Sequence, residues 1–456
     1  MSGLYGSLSV ALSALLASQQ ALETSANNVA NANTPGFTRQ RPVIIPGDPV
    51  ILGNLSFGTG VVLEKLQSLR DPILELRLNQ QAQQQGKLDS MLGALQQIQV
   101  MFSGTDSGIG DAVSKFFDSL QQLSTDPSSM SLRQGVLTAA GNLASVFNTT
   151  SHNLLAQRAN LDLNVKQTVE EVNTLTAQIA DVNGQITNLE NLHEDASAFI
   201  DKRTTLIRQL SGLVDLSVIQ TEHGIGLATL NGTPLVSETS SFPLTSAMGT
   251  DGMQRILAQG KDVTSSLVAG KLAGLVEMRD TTIPGIQDNL DQLAAGLATS
   301  LNVAHRKGFD LNGNAGGDLF VPPPAGGVGA AAALSVAFTD PALLAASSDG
   351  TPGSNGNLAV LSAVHDQAVV AGQKPLDFYS RLIFQVGSDT ANASADLNAS
   401  SLILRQLEDQ RSSISGVSLD EEAANIVRYQ TAYQAAARVV TTVNDMLDAA
   451  VNLGRY

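Results

Sequence analysis

The chain has 456 residues, a formal net charge of −16 and no cysteine. That length leaves room for two to four domains. Nucleic-acid phosphates and anionic membrane surfaces repel an acidic chain, so we expect neither nucleic-acid binding nor membrane insertion. The absence of cysteine excludes disulfides, thiolate metal sites and cysteine nucleophiles.

Side chains available for packing are mostly small and aliphatic. Hydrophobic residues make up 43% of the chain, aromatic residues only 4%, and there is no tryptophan. Ligand pockets tend to be lined with aromatic side chains, whereas small aliphatic ones suit close helix–helix contact. Residues 1–38 contain no Lys or Arg, so the basic region of a cleaved signal peptide is missing.

The first predicted helix covers residues 4–32 and is apolar on nearly every side. One stripe repeats every seven residues, as in a coiled-coil seam, with small side chains between its members. The stripe consists of Leu8, Leu15, Leu22 and Val29, and the small side chains are Ala11, Ser18 and Ala32. One intramolecular partner cannot cover such a helix, so we expect neighbouring copies to cover the rest. The alternatives are a signal anchor or a buried core helix.

The last predicted helix begins near Leu419 and runs almost to Gly454. Its seven-residue stripe consists of Leu419, Ile426, Tyr433, Val440 and Leu447, and Ala423, Ala437 and Val451 lie four positions after three of these. Ser418 and Glu421 have the spacing of a capping box at the helix start. Two terminal helices of similar length and equal period predict a paired coiled coil, either antiparallel or parallel.

Between these helices the pattern changes several times. Asn33–Phe37 is a turn, with Pro35 and Gly36 at its centre, and residues 38–66 look extended. Helices are predicted at 72–102, 109–124, 129–192, 284–307, 355–372 and 376–415. A heptad pattern in the third of these is formed by Val165, Val172, Ile179 and Ile186. Residues 213–268 alternate as strands do, and Asn231-Gly232 is a hairpin signal.

These elements predict a mainly α chain with a small inserted β domain, elongated and nested. A terminal-helix coiled-coil domain would comprise 1–37 and 416–456, and a middle domain with a bundle of long helices 38–212 and 269–415. Residues 213–268 would form a β-rich outer domain, the unit most distant from the termini.

No pattern predicts catalysis, a cofactor or a metal. The five histidines are far apart, and His193-Glu194-Asp195 is better explained as an exposed helix end than as a metal site. Asp310 to Asn314 resembles the start of a calcium loop, but Ala315 and Val321 stand where Gly and Glu are required. A polar hairpin around Asn312-Gly313 is the better interpretation. We therefore predict that the protein is not an enzyme.

Both ends of the chain carry long, specific signatures. The first is formed by Asn27, Asn28, Asn31, Asn33, Thr34, Pro35, Gly36 and Phe37, and the second runs from Gly416 to Ala435. These runs resemble the termini of the bacterial flagellar axial proteins, which are the rod, hook and hook-associated subunits. Further segments resemble the hook-associated members: Thr38-Arg39-Gln40, Gly270-Lys271-Leu272, Arg279-Asp280 and Gly308–Gly313.

The resemblance implies a structural subunit of the extracellular flagellum at the junction of hook and filament. It implies export, without a cleaved signal peptide, through the flagellar type III apparatus. The implied partners are copies of the chain in a ring, the hook protein, hook-associated protein 3, and a cytoplasmic export chaperone on the C-terminal helix. The terminal helices would line the inner tube, and the β segment would face outward.

Two alternatives remain open. The first is a hook or distal rod protein of the same family. The second, from another class, is a secreted enzyme carried on flagellar-type termini. It would need a catalytic constellation within 213–268, where the ionisable candidates Glu222, His223, Glu238, Asp251 and Asp262 form no motif.

Overall fold

A computed structural model describes residues 2–52, 55–102, 108–221 and 224–453. The predicted fold class is confirmed: the chain is mainly helical, has small antiparallel sheets in its middle, and its two terminal helices contact each other.

Most predicted helices form close to their predicted spans, but the one predicted at 355–372 is much shorter, and the helices at 197–213, 270–277 and 330–333 were not predicted. The helices are α1 (Ser2–Ala30), α2 (Pro72–Phe102), α3 (Ile109–Leu123), α4 (Met130–Asn191), α5 (Ser197–Leu213), α6 (Gly270–Glu277), α7 (Ile283–His305), α8 (Ala330–Ala333), α9 (Gly356–Ala363), α10 (Pro375–Ser415) and α11 (Leu419–Leu453). Local chemistry explains several starts. Asp71 Oδ1 accepts the amides of Ile73 and Leu74 at the start of α2, and Ser129 Oγ accepts the amide of Leu132 at the start of α4.

The strands form four small antiparallel groups. They are β1 (Gln40–Pro46), β2 (Val50–Leu52), β3 (Leu55–Phe57), β4 (Val61–Ser68), β5 (Ser217–Thr221), β6 (Gly224–Ala228), β7 (Pro234–Ser237), β8 (Ser240–Ser241), β9 (Leu244–Met248), β10 (Gln254–Ala258) and β11 (Lys261–Asp262). β1 pairs with β4 and β2 with β3, while β5–β8 and β9–β11 form sheets of four and three strands. Gly232 has φ +82° in the turn between β6 and β7, as the Asn-Gly pair predicts.

The β1–β4 ribbon packs against α1 rather than with the middle helices. Gly60 approaches Val10 of α1, and the amide of Val61 donates to Ser13 Oγ at 3.3 Å. Strands β1 and β4 therefore lie beside α1, and the predicted domain boundary at residue 38 stays a prediction.

Helix α4 is the strut of the molecule, because its 62 residues span about 93 Å. Its heptad residues face the core as predicted. Val165, Val172, Ile179 and Ile186 are all buried. The helix ends at Asn191 with Leu192 as its C-cap, and His193 adopts a φ of +58°, so the His193-Glu194-Asp195 run follows a helix end as expected.

The β segment lies along the side of α4 and shares its core. Asp162 accepts the amide of Gln254, and Asn173 and Asn183 donate to the carbonyls of Leu244 and Glu238. The first turns of α4 contact other parts of the chain, and the expectation that 213–268 is the unit most distant from the termini stays a prediction. Arg133 of α4 donates to the carbonyl of Leu344 at 2.7 Å, and Asn148 to that of Ala331 at 2.7 Å.

Candidate assembly surface and its anchor

The terminal helices α1 and α11 run antiparallel, which the seven-residue pattern alone left undecided. Ser25, near the end of α1, lines the same cleft as Glu421, Glu422 and Asn425 from the first turns of α11. The buried side chains of α1 are small or polar: Ala11, Ala17, Ser18, Ala21, Thr24, Ser25 and Asn28. Small residues let two helix backbones approach closely, so they form the contact within one chain.

The predicted seam residues of α1 stand at the margin of this contact. Leu8, Leu15 and Leu22 are half-buried, and Val29 is exposed. They are therefore only partly covered within a single chain. Their role as an assembly seam stays a prediction.

In helix α11 the predicted stripe is accompanied by a second row of side chains, which lies three rather than four positions after it. Ile426, Val440 and Leu447 are half-buried, while Leu419 and Tyr433 are exposed. The buried second row consists of Glu422, Ala436 and Val443, with the half-buried Tyr429 between them. It lies three positions after the stripe, because a heptad seam alternates steps of three and four. Of the side chains four positions after the stripe, Ala437 is half-buried, and Ala423 and Val451 are exposed in the single chain.

Large apolar side chains on both terminal helices remain uncovered in the single chain. Seven of them are Tyr5, Leu12 and Leu16 on α1 and Val427, Val439, Met446 and Val451 on α11, and Val10, Val29, Leu419 and Tyr433 are exposed as well. Leu12 is 50% exposed and Met446 is 52% exposed. We call these seven side chains the terminal apolar surface. Contiguous exposed apolar side chains on a soluble protein mark an interaction surface.

The N-terminal signature folds into a rigid connection below this surface. Asn28 is buried, and its amide donates to the carbonyl of Gln40 at 2.8 Å and accepts the Gln40 amide at 3.0 Å. The side chain thus extends the β1 ladder by one pair of hydrogen bonds and fixes the start of β1 against α1.

The rest of the signature builds the turn. Asn31 donates to Asn27 Oδ1 at 2.8 Å, and Thr34 Oγ donates to Asn31 Oδ1 at 3.2 Å. The amide of Phe37 donates to the carbonyl of Thr34, and Gly36 between them has φ +83°. A Cβ on Gly36 would lie 2.5 Å from Thr205 Oγ of α5, so glycine is required both for the turn and for this approach. Asn33 is exposed.

Arg39 connects the signature to the start of α11. Its guanidinium contacts Glu421 at 2.5 Å and the buried Glu422 at 2.7 Å. Burial would lower the pKa of Arg39, but hydrogen bonds and charges from the two glutamates outweigh that effect and raise it. Ser418 Oγ accepts the Glu421 amide at 3.4 Å, so half of the predicted capping box forms. The Glu421 carboxylate pairs with Arg39 rather than with the helix start.

Two carboxylates then fasten this region to the middle helices. Asp201 of α5 accepts the amide of the buried Thr38 at 3.0 Å and pairs with Arg70 at 2.5 Å. Glu75 of α2 pairs with Arg208 of α5 and Arg411 of α10, each at 2.7 Å. All four partners of these two carboxylates lie more than 100 residues away in the sequence. No local motif could have revealed them.

An open groove of about 780 Å³ separates the signature from α5. Gln20, Asn27, Asn31, Asp195 and Gln209 are among the residues that line it. This lining mixes amides and carboxylates with apolar side chains such as Leu63, Leu66 and Leu206.

The run from Asp310 to Asn314 folds as the predicted polar hairpin. Asp310 Oδ1 accepts the amides of Asn312 and Asn314, each at 2.8 Å, and Gly313 has φ +78°, which makes the predicted polar hairpin. Within the described residues, no group of three or more His, Asp or Glu side chains could hold a metal ion. In the same part of the chain, no helix is long and apolar enough to cross a membrane.

Two buried charged residues outside the terminal region were not singled out as sites by the sequence. Arg279 is fully buried in a π-helical turn at 278–282, where it pairs with Asp162 of α4 and with Asp280. Asp215, at the entry to the β segment, is fully buried, and burial raises its pKa to about 6.

Two protein-family profiles match the two ends of the chain. A profile of flagella basal body rod proteins matches residues 8–38, and one of the C-terminal region of flagellar basal body rod FlgEFG proteins matches 408–453. These matches cover the two terminal helices and the signature turn. The chain therefore has the termini of a flagellar axial protein.

The middle of the chain narrows the class to one family. A profile of the helical domain of the flagellar hook-associated protein FlgK matches residues 95–320. Flagellar hook-associated protein 1 of Bacillus subtilis is 30% identical, over 99% of both chains. The Escherichia coli protein of the same name is 26% identical, over 97% of this chain and 98% of its own. The chain belongs to the flagellar hook-associated protein 1 family.

A solved structure supports the fold. The flagellar hook junction protein FlgK from Burkholderia pseudomallei matches with a TM-score of 0.67 and 16% identity, over 74% of this chain and all of that one. Family membership makes this chain a hook-associated structural protein of the external flagellum, one that assembles with other flagellar proteins.

Proposed function

We propose that this protein is the junction subunit between hook and filament, and that it assembles through its terminal helices after type III export. One observation carries the proposal: the terminal apolar surface is left uncovered by the rest of the chain. Burying one such side chain contributes about 1.5–3 kcal/mol, so covering seven of them favours association strongly.

The proposed partners follow from this surface and from the family. Copies of the chain would cover part of it in a ring, and the hook protein and hook-associated protein 3 would cover the two ends. An export chaperone would cover α11 before secretion. Residues 1–37 and 416–456 would form the inner tube, and the β segment would face outward.

The ion pairs of Arg39, Asp201 and Glu75, which we call the anchor, fit this function. A subunit that joins hook and filament through its terminal helices needs those helices held firmly on the rest of the chain. The ion pairs of Arg39, Asp201 and Glu75 join α11, the signature turn, α2, α5 and α10 at one place. Charged pairs that are partly buried and hydrogen-bonded resist separation more than exposed ones do.

The test replaces two exposed side chains of α11 with acids. In the variant Val439→Asp/Met446→Asp, folding of the middle helices should be unchanged, because both side chains are exposed in the single chain. Incorporation into flagella should fall at least tenfold, since two unpaired charges would be buried. The matched control is Val328→Asp, at a position 76% exposed in the loop before α8.

Immunoblots of isolated flagella measure incorporation, and electron microscopy shows whether filaments form. Normal amounts of the α11 variant in flagella with normal filaments would overturn the proposed role of the terminal helices.

A further inference from the structure

The β2–β3 hairpin is an apolar arm without a partner in its own chain. Val50, Ile51 and Phe57 are 51%, 74% and 49% exposed. The two strands pair only with each other in the described sheets.

The hairpin continues the β1–β4 ribbon, because the Gly47 amide donates to the Gly60 carbonyl at 2.9 Å and Thr59 Oγ1 donates to the Asp48 carbonyl at 2.8 Å. A two-stranded ribbon with exposed apolar side chains gains stability when a surface covers them.

The position of the arm is set by the ribbon below it. β1 and β4 lie along α1, with Gln40 beside Asn28 and Val61 beside Ser13. The hairpin between them therefore continues toward the N-terminal turns of α1. It emerges beside the region that carries Tyr5, Leu12 and Leu16.

Those three side chains of α1 are also uncovered. They lie on one side of the helix, because residues 5, 12 and 16 are separated by close to whole turns at about 100° per residue. Tyr5 is 61% exposed, and Leu12 and Leu16 are about half exposed although the ribbon packs on the same helix. The hairpin of a chain thus does not cover this side of its own α1.

The two uncovered surfaces match in chemistry. No charged residue occurs in α1 before Glu23, and none occurs between Asp48 and Glu64. Each surface presents three large apolar side chains with no charge that burial would penalise. Contact between them would remove from water the exposed apolar side chains of the hairpin and those of the α1 face.

We propose that the β2–β3 hairpin of one copy packs on the Tyr5, Leu12 and Leu16 side of α1 in a neighbouring copy. This inference rests on the proposed assembly through the terminal helices and names one contact within it. The occupant is a second copy because the hairpin is continuous, through β1 and β4, with the helix pair that carries the terminal apolar surface.

The chain has no native cysteine, which makes cross-linking a direct test. The double variant Leu12→Cys/Ile51→Cys keeps an apolar side chain at both positions. In isolated flagella, mild oxidation should join it into disulfide-linked multimers, because a disulfide forms only when Cα atoms lie within about 7 Å. Leu12→Cys alone, Ile51→Cys alone and the control Ile51→Cys/Ile219→Cys should stay monomeric on non-reducing gels.

A second measurement does not depend on oxidation. Ile51→Asp/Phe57→Asp should reduce incorporation at least tenfold, whereas Ile219→Asp, at an equally exposed strand position in the β segment, should not. Normal incorporation of the hairpin variant would overturn the inference. So would cysteine variants that are incorporated without multimers, or a cross-link formed within one chain. Either result leaves the α11 test to decide the proposed function separately.

Discussion

At the residue scale, Asn28 shows how one side chain holds two elements together. Both of its hydrogen bonds reach the backbone of Gln40, and the residue is 1% exposed. Asn28→Ala leaves a buried N–H and C=O without partners, which costs about 1–3 kcal/mol. We expect amide exchange in peptides covering 38–46 to become about ten- to a hundredfold faster. Its neighbour Asn27 bonds only to Asn31, so Asn27→Ala should change exchange there by less than threefold.

Unchanged exchange at 38–46 in the Asn28→Ala chain would show that the ribbon is held by its other contacts with α1.

Asp215 predicts an unusual pH dependence. Burial raises its pKa to about 6, despite hydrogen bonds from the Leu230 and Val268 amides. In the unfolded chain its pKa is about 3.9, so the folded state binds the extra proton between pH 4 and 6. The charged carboxylate therefore costs stability above pH 6, and this cost is relieved as the pH falls toward 4. The total is on the order of 2–3 kcal/mol.

The measurement is the free energy of unfolding against pH for the wild type and for Asp215→Asn. The difference between the two curves cancels other titrating groups. It should favour the asparagine variant at pH 7 and shrink below pH 5. A difference that is constant from pH 4 to 7 would show that Asp215 has an ordinary pKa.

At the scale of elements, helix α2 contains a pair of glycines in contrasting surroundings. A Cβ on Gly86 would lie 2.0 Å from the carbonyl oxygen of Gly212, whereas nothing lies within 4 Å of one on Gly93. Alanine is favoured over glycine in a helix interior by about 1 kcal/mol. Gly93→Ala should therefore stabilise the protein by about 0.5–1 kcal/mol. Gly86→Ala should destabilise it by 1–3 kcal/mol, because α2 and α5 must separate.

Denaturant unfolding followed by circular dichroism measures both changes. Equal stabilisation by the two alanines would contradict the close crossing of α2 and α5.

Most helices could be predicted from periodicity, but α5 could not. Its buried residues include Asp201 and Arg203, so the apolar pattern that indicates a helix face is interrupted. Those charges are tolerated because Arg70 and Asn183 pair with them from other elements. The ion pairs of Arg39 could not be predicted for the same reason, because Arg39 and Glu422 come together only in the folded chain. By contrast, the turn at Pro35-Gly36 depends only on neighbouring residues, so the sequence predicts it.

At the scale of the molecule, the nested order of the elements was predictable, whereas the contacts that hold the β segment along α4 were not. The chain leaves the terminal helices along α2 and returns along α10, as the order of elements suggested. Tertiary contacts decide where an insertion in the middle of a nested sequence packs. Here Asp162, Asn173 and Asn183 bind the β segment along α4.

The last prediction concerns order in the terminal helices of the free monomer. Fixing the 29 residues of α1 costs on the order of 1–2 kcal/mol per residue, and the contact with α11 buries mainly alanine and serine. Most of the large apolar side chains that would offset this cost are left exposed. We therefore expect α1 and α11 to open readily in the monomer and to become fully ordered only in the assembly, as in coupled folding and binding.

Hydrogen exchange measures this directly. In the monomer, amides of 8–29 and 425–447 should exchange at least a hundredfold faster than those of 165–186 in α4, whose heptad side chains are buried. In isolated flagella the difference should vanish, because neighbouring copies cover the terminal apolar surface. Strong protection of 8–29 in the monomer would mean that the contact with α11 and the ribbon suffices alone. The uncovered side chains would then add affinity between copies without being needed for the helices to form.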